Sequence, residues 1–128
     1  MVYKTRHFNR WARKADLSDE ALCRAVGEIR EGLVDADLGG GIIKKRIALP
    51  GHGKRGSTRT LLATNRNDRW IFVYGFEKNE RANISDNELE ALKLLADNLL
   101  ALTKLQISEA VSNGSLVEVT NETQKSAS

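Results

Sequence analysis

The chain has 128 residues, 41% of them hydrophobic and 29% charged, with a formal net charge of +3. These values suit one folded domain with a modest core and exclude a disordered chain. The single cysteine, Cys23, excludes an internal disulfide, and His7 and His52 lie too far apart in sequence to read as a ligand pair.

There is no secretory hydrophobic region and no apolar run near about 18 residues, so a cytoplasmic protein with no membrane partner is expected. The modest net charge conceals strong segregation. Residues 1–14 hold five basic residues and no acid, and residues 15–41 hold seven acids against two basic residues. Residues 42–81 hold ten basic residues against three acids, and residues 82–128 hold seven acids against three lysines. A concentrated positive field in the middle of the chain has two readings. It attracts a polyanion, of which nucleic acid is the commonest, or it is a solvated surface balanced by acidic helices.

In chain order, residues 2–5 predict a short strand. Phe8, Trp11, Ala12 and Ala15 then recur at helical spacing, as do Leu22, Val26, Ile29 and Leu33. Ser18 reads as an N-cap, with Asp19 and Glu20 in the favourable first turn. An antiparallel pair of helices over 7–15 and 19–34 is expected, with the aromatics and Cys23 in structural roles. Gly39–Gly41 breaks the helical region. Residues 42–49, "IIKKRIAL", predict a strand with Ile43, Lys45, Ile47 and Leu49 on one face and Lys44 and Arg46 on the other. A sheet with one face toward the core and one toward water or a polar partner follows.

Residues 50–57, "PGHGKRGS", read as a flexible connection. Strands at 58–65 and 69–76 follow, separated by the turn "NRND", and the second should be central because apolar residues fill both its faces. The short connections favour antiparallel pairing. Ser85 and Glu88 form a capping box, and Ile84 and Leu89 sit at hydrophobic-staple positions, opening a helix over about 86–102. Thr103 and Gln106 open a shorter helix that Gly114 ends, and 115–119 read as one more small strand. Residues 1–119 are expected to form a single domain, and 120–128 a polar, disordered tail.

Several motifs invite chemistry. The glycines of 51–56 lack the phosphate-loop spacing, and a strand follows them rather than a helix, so a nucleotide-binding loop is rejected. His52 is either an acid–base group or a loop bystander. Glu77 and Glu80 are either bases or partners of the cations beside them. Lys44, Arg46, Arg59 and Lys78 fall on neighbouring strands. Either they converge on one side of the sheet, where mutual repulsion would favour a polyphosphate ligand, or twist and register separate them and acids pair with each.

Two helices, an antiparallel sheet bearing cations and a C-terminal helix resemble the α+β fold of the RelE/ParE superfamily of bacterial toxins. Residues 44–100, and above all the run "GFEKNERANISDNELEALKLLA" from 75 to 96, resemble the RelE/HigB-like branch of type II toxin–antitoxin toxins. The pattern "GSLVEV" at 114–119 fits that branch. The resemblance implies a metal-independent endoribonuclease without cofactor. It would cleave mRNA, in many members within the ribosomal A site, to 2′,3′-cyclic phosphate and 5′-hydroxyl ends.

Carried over, the resemblance makes Lys44 and Arg46 the pair that orients or deprotonates the 2′-hydroxyl. Arg59 would hold the scissile phosphate, and Lys78 would stabilise or protonate the leaving oxygen. Lys45, His52, Lys54, Arg55 and Arg81 would bind RNA. Where some relatives carry a tyrosine after the last strand, this chain has Asn83 and Ile84. The implied partners are mRNA, the ribosome and an antitoxin with a helix-turn-helix domain. The alternatives are a ParE-like gyrase poison and a non-catalytic, antitoxin-binding regulator.

Overall fold

Ser18, Ser85 and Thr103 each accept a hydrogen bond from the backbone N–H three residues on, and so fix the starts of three helices. Glu88 and Gln106 return the bond to the cap's own N–H, completing both expected capping boxes. The computed structural model describes residues 1–49 and 57–120. In order these form β1 (Val2–Thr5), α1 (Arg6–Ala15), α2 (Asp19–Arg30), β2 (Ala36–Gly39) and β3 (Ile42–Ala48). Then come β4 (Ser57–Thr64), β5 (Trp70–Glu77), α3 (Asp86–Ala101), α4 (Lys104–Ser112) and β6 (Leu116–Glu118). Most of the glycine-rich connection (50–56) and of the polar tail (121–128) falls outside the described residues.

The six strands form one sheet in the order β2-β3-β4-β5-β1-β6. β2 to β5 are an antiparallel meander, as the short connections predict. β1 departs from that pattern and runs parallel to β5. The two helices that follow β1 carry the chain across the sheet before β5, which supplies the long connection a parallel pair needs. Asn65 Oδ1 accepts from the backbone N–H groups of Asn67, Asp68 and Arg69, and so builds the expected β4–β5 turn.

Three expectations are corrected. The second helix ends at Arg30, not 34: Gly32 takes φ +91°, and Leu33 N–H bonds back to Glu28 O. This closes the helix in a Schellman-type turn and leaves Leu33 56% exposed. The triple glycine, read as a break, is the tight turn between β2 and β3, with all three residues at positive φ. At Gly40 and Gly41 a Cβ would also come within 3 Å of the side chains of Lys93 and Leu100 on α3.

The third correction concerns the sheet's faces, for helices pack on both. α1 and α2 cover one face, where Phe8, Leu22, Val26 and Ile29 meet Ile43, Ile47, Leu62, Trp70 and Phe72. α3 and α4 cover the other, where Ala96, Leu99 and Ile107 meet Ile42, Leu61, Ala63, Ile71 and Val73. The coverage by α3 is uneven. Its buried residues, Ala96 and Leu99, lie in its C-terminal half. That half is anchored by Arg69, whose guanidinium donates to the carbonyls of Leu99, Leu100 and Leu102. These carbonyls lie at the helix end, where the intrahelical ladder runs out, and only Leu99 O also accepts a cap bond, from the Leu102 N–H.

Candidate functional site

Register decides which cations meet. Arg46 on β3 lies directly opposite Arg59 on β4, and Arg59 lies opposite Phe76 on β5. Side chains of directly opposed residues project to the same side, with Cβ atoms about 5 Å apart. Lys44 opposes Leu61, which opposes Tyr74, one row along the same face. This is the face that carries Ile42 and Leu61, and hence the face on which α3 packs. Lys78 follows β5, and its backbone N–H donates to Ser57 O, so it extends the register past Phe76. The convergence of Lys44, Arg46 and Arg59 is therefore a property of the sheet.

No side chain of this cluster forms an ion pair among the described residues, and the one acid bonded to it, Asp35, accepts from the Arg46 backbone N–H. The four ion pairs among the described residues join Lys4 to Asp19, Lys45 to Glu28, Arg66 to Asp37 and Arg81 to Glu88. Lys44, Arg46, Arg59 and Lys78 take part in none of them. Arg59 is only 8% exposed, and its guanidinium donates to Ser57 Oγ at 2.9 Å. Glu77, the acid beside Lys78 in the sequence, opposes Thr58 and so projects to the other face. Like charges directly opposed across two strands cost about 0.2–1 kcal/mol. An arrangement that keeps this cost has a use for concentrated positive charge.

Adjacent lysines have opposite fates. Lys45 faces α2, is 7% exposed, donates to Leu33 O at 2.9 Å and pairs with Glu28 at 3.0 Å. The resemblance implied an RNA contact for it, but its alternation with Ile43 and Ile47 turns it toward α2, and the structure gives it a bracing role away from the Lys44/Arg46 face. Arg81 reaches the site's margin with its charge already taken. It makes a two-pronged bond to Glu88, donates to Tyr74 Oη and Asn83 O, and lies 5.8 Å from the Phe76 ring centre. His52, Lys54 and Arg55 fall outside the described residues. Burial pushes the Cys23 thiol up, with Asp19 adding to the effect, and this keeps it in the unreactive thiol form.

The Arg81–Glu88 pair ties the exit of β5 to the first turn of α3. Hydrogen bonds from Arg81 hold the Glu88 carboxyl down at about 2, with further help from the Ser85 backbone N–H. A depressed carboxylate stabilises the fold above its unfolded value, and that contribution is lost as pH falls through the folded value. Side-chain NMR titration is expected to find Glu88 charged throughout pH 4.5 to 3 in the wild type. In Arg81→Ala its midpoint should return toward the ordinary glutamate range, and an unmoved midpoint would refute the pairing.

The hydrophobic lattice, the sheet and the cationic row now stand together. A family model described as the RelE toxin of the RelE/RelB toxin–antitoxin system matches residues 1–119. The chain belongs to the RelE toxin family. It is thus the toxin of a toxin–antitoxin pair, with an antitoxin as its partner, in a family whose toxins are generally translation-inhibiting ribonucleases. A search of curated proteins finds no match. No helix among the described residues is long and apolar enough to cross a membrane.

Proposed function

We propose that this toxin is an mRNA endoribonuclease that cuts messages in the ribosomal A site and so stops translation. One observation carries the reading: Arg46 and Arg59 oppose each other on one face, beside Lys44, with no acid paired to any of them among the described residues. Cleavage of this kind needs positive charge, because negative charge grows on the phosphorane oxygens and on the leaving oxygen.

In this reading Lys44 and Arg46 orient the attacking 2′-hydroxyl, and Lys44, as the free amine, takes its proton, because a guanidinium stays protonated. Arg59 holds the scissile phosphate in its planar fork. A bond forms from the 2′-oxygen to phosphorus, and the bond from phosphorus to the 5′-oxygen breaks. Lys78 delivers a proton to the departing oxygen. The products are a 2′,3′-cyclic phosphate and a 5′-hydroxyl. Residues 1–119 act as one toxin domain, Lys54 and Arg55 contact RNA backbone, and an antitoxin with a helix-turn-helix domain restrains the toxin in the cytoplasm.

Purified toxin added to programmed ribosomes is expected to give discrete primer-extension stops within the A-site codon. The upstream fragment should resist phosphatase until its cyclic end is opened, and the downstream fragment should accept phosphate from a kinase directly. Intact message together with inhibition of DNA gyrase would replace this reading with that of a gyrase poison.

A further inference from the structure

We propose that the groove between α1 and α3 is a nucleobase subsite, in which a base flanking the cleaved phosphodiester stacks on His7 while Arg6 and Arg10 hold adjacent phosphates. The inference rests on the ribonuclease reading, since it extends the same RNA-binding face.

A chain of rings leads from the cationic row to this groove. Phe76 opposes Arg59, Tyr74 lies 6.3 Å from Phe76 between ring centres, and His7 lies 6.0 Å beyond Tyr74. The His7 and Tyr74 rings are inclined by only 9°, so they form a true parallel stack. Arg81 lies against Phe76 and bonds Tyr74 Oη, and its own charge is answered by Glu88. It therefore braces the ring chain rather than binding phosphate itself. Phe76 is buried and Tyr74 half-buried, whereas His7 is exposed. His7 is the outermost layer of the stack and presents its second face away from Tyr74.

The open groove beside it, about 530 Å³, is lined by Leu92 and Leu95 of α3, by Tyr74, and by Arg10 and Arg6, the latter steadied by bonds from its guanidinium to Gly114 O and Asn113 O. No acid lines it among the described residues. An apolar wall, a flat ring and two flanking cations are the elements that bind single-stranded nucleic acid: rings stack on bases and cations follow the backbone. His7 lies two rings beyond Phe76, so the stacked base belongs to a nucleotide flanking the scissile phosphate, not to the one carrying it. An acidic, amphipathic antitoxin segment is the competing occupant. The parallel His7–Tyr74 stack beside the phosphate row favours a base.

The test measures binding of short single-stranded RNAs, fully 2′-O-methylated so that no cleavage occurs, each carrying one abasic residue at successive positions. For the wild type, one position is expected to be base-sensitive, with affinity falling roughly tenfold or more. His7→Ala should lose the same factor on intact RNA and nothing further at that position, and His7→Phe should restore it. Arg10→Ala should weaken every RNA alike and lower the salt slope by about one. RNA binding that needs Arg59 but shows no base-sensitive position, or is indifferent to His7→Ala, would overturn this inference and leave the ribonuclease reading intact. RNA binding that is absent, or unaffected by Arg59→Ala, would also overturn this inference, while cleavage on programmed ribosomes decides the ribonuclease reading separately. Loss of antitoxin affinity in His7→Ala with unchanged RNA binding would assign the groove to the antitoxin instead.

Discussion

Replacing Arg59 with alanine is expected to slow message cleavage by about a hundredfold to a thousandfold, the usual cost of removing a donor aimed at developing charge. Arg59→Lys keeps the charge but loses the planar fork, so it should recover only part of the rate. The stability arm is equally diagnostic. Arg46 directly opposes Arg59, and neither side chain forms an ion pair among the described residues. Arg46→Ala removes that opposition, so it should leave thermal stability unchanged or raise it by up to about 1 kcal/mol while cleavage falls. Single-turnover cleavage on programmed ribosomes and thermal melting of the same preparations read both quantities. If Arg59→Ala cleaves within threefold of the wild type, the cationic row is not the reaction centre.

Lys44→Ala and Lys45→Ala are expected to separate function from stability at adjacent positions. Lys44 stands on the cationic face, half-buried and without an ion pair among the described residues. Its removal should cost cleavage tenfold or more, the usual scale for a group that moves a proton, and should barely change the melting temperature. Lys45 reaches under α2 to Leu33 O and Glu28. Truncating it leaves that carbonyl without its donor, at a cost of about 1–3 kcal/mol. Glu28 is itself 44% exposed, so water screens its lost partner and holds the cost toward the lower end. Cleavage per folded molecule should be unchanged. The reverse pattern, stability lost at 44 and activity lost at 45, would show that the strand's faces are exchanged.

The cationic face also explains the exit of β5. Trp70, Ile71, Phe72 and Val73 are buried because β5 lies between β4 and β1 with helices on both faces. Beyond Phe76 the buried part of α3 no longer covers the sheet. The chain then turns polar at Lys78 and Arg81, the latter tying that end to α3 through Glu88. Polar residues enter where coverage ends.

Local chemistry in the sequence determined most of the elements. Caps at Ser18, Ser85 and Thr103, helical stripes of leucine and isoleucine, and period-two strands depend on neighbours a few residues away, and such neighbours are visible in a linear string. The alternation of Lys44, Lys45 and Arg46 was equally legible as two faces. Tertiary structure alone decided what each face meets. A strand's hydrophobic period says nothing about which helix arrives, so the sequence could not show that Lys45 would find Glu28 while Lys44 would form no ion pair among the described residues. The parallel seating of β1 and the His7–Tyr74 stack likewise join residues far apart in the chain. Long-range pairing depends on how the whole core closes, and only the folded molecule records that outcome.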